Sequence, residues 1–140
     1  MADKVFAVID TNVIVSALIS TNPESPPITV MANVYSGVIT PLYNAEILKE
    51  YREVLSRDKF HLTQEDIENA MSIIQGYGLD LERTKVEDEL FPDPKDVVFY
   101  EVRMSKDDAY LVTGNIKHYP QKPFVVTPKE MVDILNSMEE

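Results

Sequence analysis

The hydrophobic and polar positions along the chain follow two alternating patterns. Continuous runs of β-branched and aromatic residues, typical of strands buried on both faces, occur at residues 5–9, 109–113 and 124–126, and residues 38–43 form a further short, β-like run. Most segments between these runs carry apolar residues at helical spacing. Strands that alternate with helices predict a three-layer α/β/α sandwich with a mostly parallel central sheet.

Capping residues mark where several of the predicted helices begin. Asn44 is a favoured N-cap for a helix that runs toward residue 58. Thr63 and Asp66 resemble a capping box for the next helix, and Thr127 and Glu130 form a full capping box for the last one. Further helices are predicted behind the first strand, from about residue 25 to 37 and from about 96 to 105, while residues 79–89 are predicted to form a connection.

Length and composition fit one intracellular domain that spans residues 1–140. The hydrophobic content of 44% is sufficient for a core, yet no apolar run approaches the ~20 residues of a membrane span, and the chain does not open with a secretory leader. The absence of cysteine excludes disulfides, thiolate zinc sites and cysteine nucleophiles. We therefore expect a soluble, cytoplasmic protein that does not associate with a membrane.

The charge and the histidine content restrict the possible chemistry. The formal net charge is −11, whereas nucleic-acid-binding proteins usually carry a basic surface that contacts phosphates. A nucleic-acid role would therefore need a local basic patch, a partner or a bound cation. His61 and His118 are far apart in sequence and lie among polar or loop-like residues, so neither a histidine metal site nor a serine triad is expected.

Polar residues beside the predicted strands are candidates for chemistry. Asp10 ends the first strand, and Asn115 follows the strand at 109–113. The carboxyl ends of parallel strands border the crevice in which ligands bind, so both side chains are expected at that edge. Asp96 lies in the first turn of the helix that precedes the second of these strands, and this turn returns to the same edge. Asp10 and Asn12 are also favoured N-cap residues, so capping of the following helix is an equally good interpretation.

Glutamates on the helix that begins at Asn44 supply a possible third acid. Of Glu46, Glu50 and Glu53, only Glu50 borders the apolar face, and the other two are expected to face solvent. Carboxylates gathered in one cleft repel unless a cation lies among them. Oxygen ligands without His or Cys favour Mg²⁺ or Mn²⁺, which can activate a water and bind a phosphate oxygen. Scattered surface acids remain the alternative interpretation of these residues.

Four short blocks occur in register along most of the chain. They are VIDTNV at 8–13, EYREVLSR at 50–57, DPKD at 93–96 and YLVTGN at 110–115. In this order they resemble the blocks of the PIN-domain family, and the chain is similar to the VapC-type toxin components of toxin–antitoxin pairs. The resemblance implies an α/β/α sandwich and a metal-dependent ribonuclease that hydrolyses RNA phosphodiesters with a metal-activated water. It also implies a cognate antitoxin protein as a partner, and assembly into a homodimer.

The resemblance implies roles for individual residues. Asp10, Glu50 and Asp96 correspond to three catalytic acids that would hold Mg²⁺ or Mn²⁺. Asn12 and Thr113 match polar positions that support the first acid and the waters of the metal.

The fourth metal-binding position departs from the family pattern. Asn115 stands where aspartate is commonest, and it would supply an oxygen ligand without a charge. A second metal ion and vigorous activity are therefore in doubt, and a PIN-like binding module with weak or lost nuclease activity is the alternative function. For RNA binding, Arg57 and Lys59 are the candidate cations near Glu50.

A phosphatase is a further alternative. The segment from Asp10 to Asn12 also resembles the opening of haloacid-dehalogenase-type phosphatases, in which an aspartate at the end of the first strand is the nucleophile. Asp107 and Asp108 would then be the later acidic pair. They precede a strand rather than follow one, which disfavours this interpretation.

Overall fold

Five parallel strands form the centre of the fold. The computed structural model describes residues 4–87 and 89–138. In chain order the strands are β1 (Val5–Ile9), β2 (Ile39–Tyr43), β3 (Leu79–Asp80), β4 (Tyr110–Val112) and β5 (Val125–Val126). Their order across the sheet is β3-β2-β1-β4-β5, and all neighbouring pairs are parallel. The predicted α/β sandwich is confirmed, with a sheet that is wholly rather than mostly parallel.

Six α-helices flank the sheet within the described residues. They are α1 (Thr11–Ile19), α2 (Pro26–Tyr35), α3 (Ala45–Leu55), α4 (Gln64–Tyr77), α5 (Val97–Arg103) and α6 (Pro128–Met138). The predicted caps form: Asn44 accepts a hydrogen bond of 2.8 Å from the Ile47 amide, and Thr63 and Asp66 complete a capping box. Over this part of the chain, no helix is both long enough and apolar enough to cross a membrane.

The edge strand β3 lies where the sequence predicts only a connection. Leu79 and Asp80 pair with the end of β2. Gly78 permits this approach, because a Cβ atom at that position would lie 2.5 Å from the Pro41 carbonyl oxygen. Both strand residues are exposed, so no hydrophobic pattern marks them in the sequence.

The core packs around β1, and this arrangement positions the candidate site. Ala7, Val8 and Ile9 are almost completely buried. β1 pairs with β2 on one side and with β4 on the other, so the chain order reverses across it. Because α5 packs against β1, β2 and β4, its N-terminal end lies near the point of reversal. In open parallel sheets, ligand crevices form outside the carboxyl ends of the strands at such a point.

Candidate functional site

A cavity of about 430 Å³ opens at the carboxyl edge of the sheet. Its wall includes four residues that the sequence analysis predicts as metal ligands, one predicted supporting residue, one predicted RNA-binding cation and three further charged or titratable residues. These are Asp10, Glu50, Asp96, Asn115, Asn12, Arg57, Asp93, Lys95 and His118. The cavity therefore combines carboxylates with basic side chains at one edge of the sheet.

Asp10 is held between the ends of β1 and β4. Its backbone amide donates to the Val112 carbonyl at 2.9 Å, which continues the pairing of the two strands. Its Oδ2 accepts hydrogen bonds from Asn12 Nδ2 at 3.3 Å, Thr113 Oγ1 at 2.8 Å and Tyr119 Oη at 3.0 Å. Burial raises the pKa of the Asp10 carboxyl, and the bonds from Thr113 and Tyr119 oppose that shift. Asp10 occupies the N-cap position of α1, as the capping interpretation predicts, but its side chain makes no capping hydrogen bond there.

Asp96 approaches Asp10 from a short 3₁₀ turn that leads into α5. The turn starts at Asp93, whose Oδ1 accepts a 2.9 Å hydrogen bond from the Lys95 amide. Asp96 therefore precedes α5, whereas the sequence predicts it within the first helical turn. Burial, followed by the charges of Asp10 and Asp93, raises the pKa of Asp96 to about 6, although His118 opposes the shift.

The Oδ2 atom of Asp96 is incompletely satisfied. His118 Nδ1 lies 3.3 Å away, a distance that suits an ion pair when the imidazole is protonated. Among the described residues, however, no donor reaches this buried oxygen with hydrogen-bond geometry. A buried carboxylate oxygen in this condition is costly unless a cation or water supplies the missing contact.

Glu50 and Asn115 line the cavity without completing a three-acid cluster. Glu50 is half-buried on α3, whose apolar face is buried at positions including Ile47 and Tyr51. The Asn115 amide donates to Thr113 Oγ1 at 3.0 Å. In the described part of the chain, no three His, Cys, Asp or Glu side chains come together at metal-binding spacing. The structure thus brings Asp10 and Asp96 together and leaves Glu50 on the wall of the same cavity.

The predicted RNA-binding cations separate. Arg57 lines the cavity, but Lys59 does not, and its Nζ instead lies 5.1 Å from the centre of the Phe60 ring. Lys95, which sequence reasoning missed, lines the cavity next to Asp96. Its place within the DPKD block is the signal that could have identified it.

His118 and Tyr119 are further site residues that the sequence analysis missed. His118 contacts Asp96 through Nδ1, and its Nε2 lies 3.0 Å from Asn115 Nδ2. A 3₁₀ turn over Ile116–His118 folds the chain back after β4 and delivers both side chains to the carboxylates. The short distance from the Thr-Gly-Asn block is the signal that could have revealed them.

The remaining acids lie elsewhere. Asp107 and Asp108 immediately precede the segment that forms β4, so they lie at the amino edge of the sheet, opposite Asp10. The phosphatase interpretation needs them beside Asp10 and is wrong on this geometry. Glu46 and Glu53 are exposed as expected, and Glu46 pairs with Arg83 at 2.7 Å.

The donor set of the cavity suits a hard divalent cation. Asp10 and Asp96 are two carboxylates whose charges repel, and Asp96 carries the incompletely satisfied buried oxygen. Carboxylate and amide oxygens are the ligands that Mg²⁺ and Mn²⁺ prefer, and Mg²⁺ commonly binds through one or two carboxylates plus several waters. The buried Asp10 and the partly buried Asp96 therefore fit such an ion even without a third carboxylate in direct contact.

Comparisons with known proteins identify one family. A family model described as PIN domain matches residues 7–117, which include the end of β1, all of α3, α5 and β4, and every acid of the cavity. No curated protein and no solved structure matches the chain.

Proposed function

The chain belongs to the PIN-domain family, whose members are typically nucleases, and on this premise we propose that it is a metal-dependent ribonuclease. The observation that carries the proposal is a pair of neighbouring carboxylates, the buried Asp10 and the partly buried Asp96. Their charges are not neutralised by any Lys or Arg ion pair among the described residues. PIN domains generally use divalent metals, and a cation of this kind would supply the missing charge.

In this proposal the polar residues of the cavity have different roles. Asp10 and Asp96 hold Mg²⁺ or Mn²⁺, while Glu50 and Asn115 orient waters around it from the cavity wall. When bound, such a cation supplies a nucleophilic water at neutral pH and stabilises charge on a phosphodiester. Asn12 and Thr113 fix the carboxylate of Asp10 through their hydrogen bonds.

RNA is the proposed substrate. With a net charge of −11, the chain would bind a polyanion only where cations are concentrated. Arg57 and Lys95 provide such charges on the cavity wall. Lys59 follows Arg57 by two residues and would contact the RNA outside the cavity. Removal of Arg57 and Lys95 should weaken RNA binding and reduce its dependence on salt, whereas the Lys59 variant should retain most of the affinity.

The proposed biological role is that of a toxin in a toxin–antitoxin pair. It would act in the cytoplasm, be inhibited by a cognate antitoxin protein and assemble as a homodimer. Induced expression should arrest growth for the wild type and spare cells that express Asp10→Asn. A neighbouring gene for a small basic DNA-binding protein whose co-expression restores growth would support the pairing.

The nuclease proposal is tested by cleavage of a mixed single-stranded RNA pool with EDTA, Mg²⁺ or Mn²⁺. We expect cleavage only with a divalent ion. Asp10→Asn should lower the rate by more than about a hundredfold, because even residues that only support a metal ligand cost about 10–100-fold. Asp133→Asn, an exposed aspartate on α6, is the matched control and should cleave like the wild type. Cleavage that persists in excess chelator would contradict the proposal.

A binding module without nuclease activity is the second candidate. It is favoured by the absence of a three-acid cluster within the described residues and by the neutral Asn115. This function predicts that the chain binds RNA but leaves it intact at saturating Mn²⁺. The same RNA pool distinguishes the two functions when binding and cleavage are both measured.

A further inference from the structure

The hydrogen bonds to Asp10 are concentrated on one of its two oxygens. Asn12, Thr113 and Tyr119 all donate to Oδ2, at distances of 2.8–3.3 Å. No side-chain donor in the described part of the chain reaches Oδ1. The Thr11 backbone amide is a further donor to this carboxylate. Oδ1 is therefore the oxygen that protein side chains leave available to a ligand.

Tyr119 differs from Asn12 in its surroundings. Asn12 is exposed, and its Oδ1 is committed to the Gly114 amide at 2.9 Å. Tyr119 is buried, and its ring packs edge-on against Phe91 at 6.3 Å between centroids. The Tyr119 hydroxyl donates to Asp10 Oδ2 at 3.0 Å. Tyr119 therefore contacts Oδ2 of Asp10 through its hydroxyl while its ring is packed among apolar side chains.

We propose that Tyr119 is a positioning residue that fixes Oδ2 of Asp10 and thereby presents Oδ1 to the divalent cation. The inference rests on the proposed function. Tyr119 lies beyond residues 7–117, the part of the chain that the family model matches. Partners that orient a metal ligand matter because they reduce the freedom that the ligand loses when the ion binds.

The test compares two tyrosine-to-phenylalanine variants. Tyr119→Phe removes the hydroxyl that contacts Asp10 and keeps the ring. Tyr100→Phe is the matched control, because Tyr100 is equally buried, also packs against Phe91, at 5.3 Å, and directs its hydroxyl toward Glu89 at 3.5 Å instead of a predicted metal ligand. Mn²⁺ affinity is measured by calorimetry, and metal-free thermal melts are recorded for both variants.

We expect Tyr119→Phe to bind Mn²⁺ about tenfold more weakly than the wild type and Tyr100→Phe to bind it with unchanged affinity. The melts of the two variants should agree within a few degrees. RNA cleavage by Tyr119→Phe should recover at excess Mn²⁺, because a positioning role acts through occupancy of the site.

Three results would overturn the inference. If Tyr119→Phe binds Mn²⁺ like the wild type, the inference fails while the proposed nuclease function stands. If Tyr119→Phe melts far below Tyr100→Phe, the hydroxyl is needed for folding and its role is not confined to positioning Asp10. If the wild type itself does not bind Mn²⁺, the proposed function fails and the inference fails with it.

Discussion

Two buried acidic side chains lie in or beside α5, and their charges are compensated to different extents. Glu101, inside the helix, is 5% exposed, and Asp10, which faces the N-terminal end of the helix, is 6% exposed. Glu101 Oε1 accepts from Arg83 Nε at 2.7 Å, and Oε2 accepts from the Val86 amide at 2.8 Å. The charge of Glu101 is thus matched by a guanidinium, and both of its oxygens are satisfied.

The Asp10–Asp96 pair lacks such compensation. Asp10 receives only neutral side-chain donors at Oδ2, and within the described residues the one basic side chain within ion-pair distance of Asp96 is the imidazole of His118. Burial alone therefore does not distinguish a structural acid from a functional one. The difference lies in whether the chain itself neutralises the charge, and the acid pair that it leaves uncompensated is where the proposed cation would bind.

The largest effect on stability is expected at the compensated site. Glu101→Gln should lower the free energy of unfolding by about 2 kcal/mol, because it removes the buried one of the two carboxylates that pair with Arg83. Glu46→Gln is the matched control, since Glu46 contacts the same Arg83 from an exposed position and should cost less than about 1 kcal/mol. Urea denaturation measures both changes. Equal losses would mean that Glu101 is no more important than a surface ion pair.

At the Asp10–Asp96 pair, replacing an acid should raise rather than lower the free energy of unfolding. The folded-state pKa of Asp96, about 6, lies above its ordinary value of 3.8, so the folded protein binds this proton more tightly than the unfolded chain does. The contribution of Asp96 to stability is therefore largest below about pH 4 and is lost as the pH rises through 6. Asp96→Asn should stabilise the metal-free protein at pH 8 on the order of 1 kcal/mol, and this gain should disappear by about pH 4.

Thermal melts between pH 4 and pH 8 would check this prediction. Asp133→Asn serves as the control, because that exposed carboxylate on α6 should produce no comparable pH-dependent gain. A metal-free Asp96→Asn protein that is less stable than the wild type at pH 8 would show that the contact with His118 outweighs burial and repulsion.

The sequence predicted the parts of the site that follow from regular structure. Asp10 and Asn115 were accessible to prediction because parallel strands bring their carboxyl ends to one edge. Helical periodicity selected Glu50 from three glutamates. Of the three, it is the one that lines the cavity at the carboxyl edge of the sheet. The fold class followed from the alternation of strands and helices, as the wholly parallel sheet confirms.

Other features depend on irregular backbone, where sequence periodicity carries no information. His118 and Tyr119 reach the carboxylates only because a 3₁₀ turn folds back after Asn115. Lys59 and Arg57 are two residues apart, yet a turn directs Lys59 onto the Phe60 ring and away from the cavity. Position along the chain therefore identified candidate cations without showing which way each side chain points.

The smallest effect is expected at Asn115. Asn115→Asp adds a carboxylate to the cavity wall, which should tighten Mn²⁺ binding by a few-fold, roughly 1 kcal/mol or less. The same change should lower the melting temperature of the metal-free protein, because a further negative charge joins Asp10 and Asp96. Calorimetry and metal-free melts measure the two effects. If neither changes, Asn115 lies outside the metal site and its assignment as the fourth ligand is wrong.

The most direct test of the central claim is the thermal melt of wild type and Asp10→Asn over a series of Mn²⁺ concentrations. Binding to the folded state alone stabilises it by about 2.7 kcal/mol at a hundred times the dissociation constant, so the wild-type melting temperature should rise by several degrees. Asp10→Asn should melt at or above the wild type without metal and respond little to Mn²⁺. A wild type that does not respond, or an equal response in both proteins, would contradict a divalent cation site at Asp10 and Asp96.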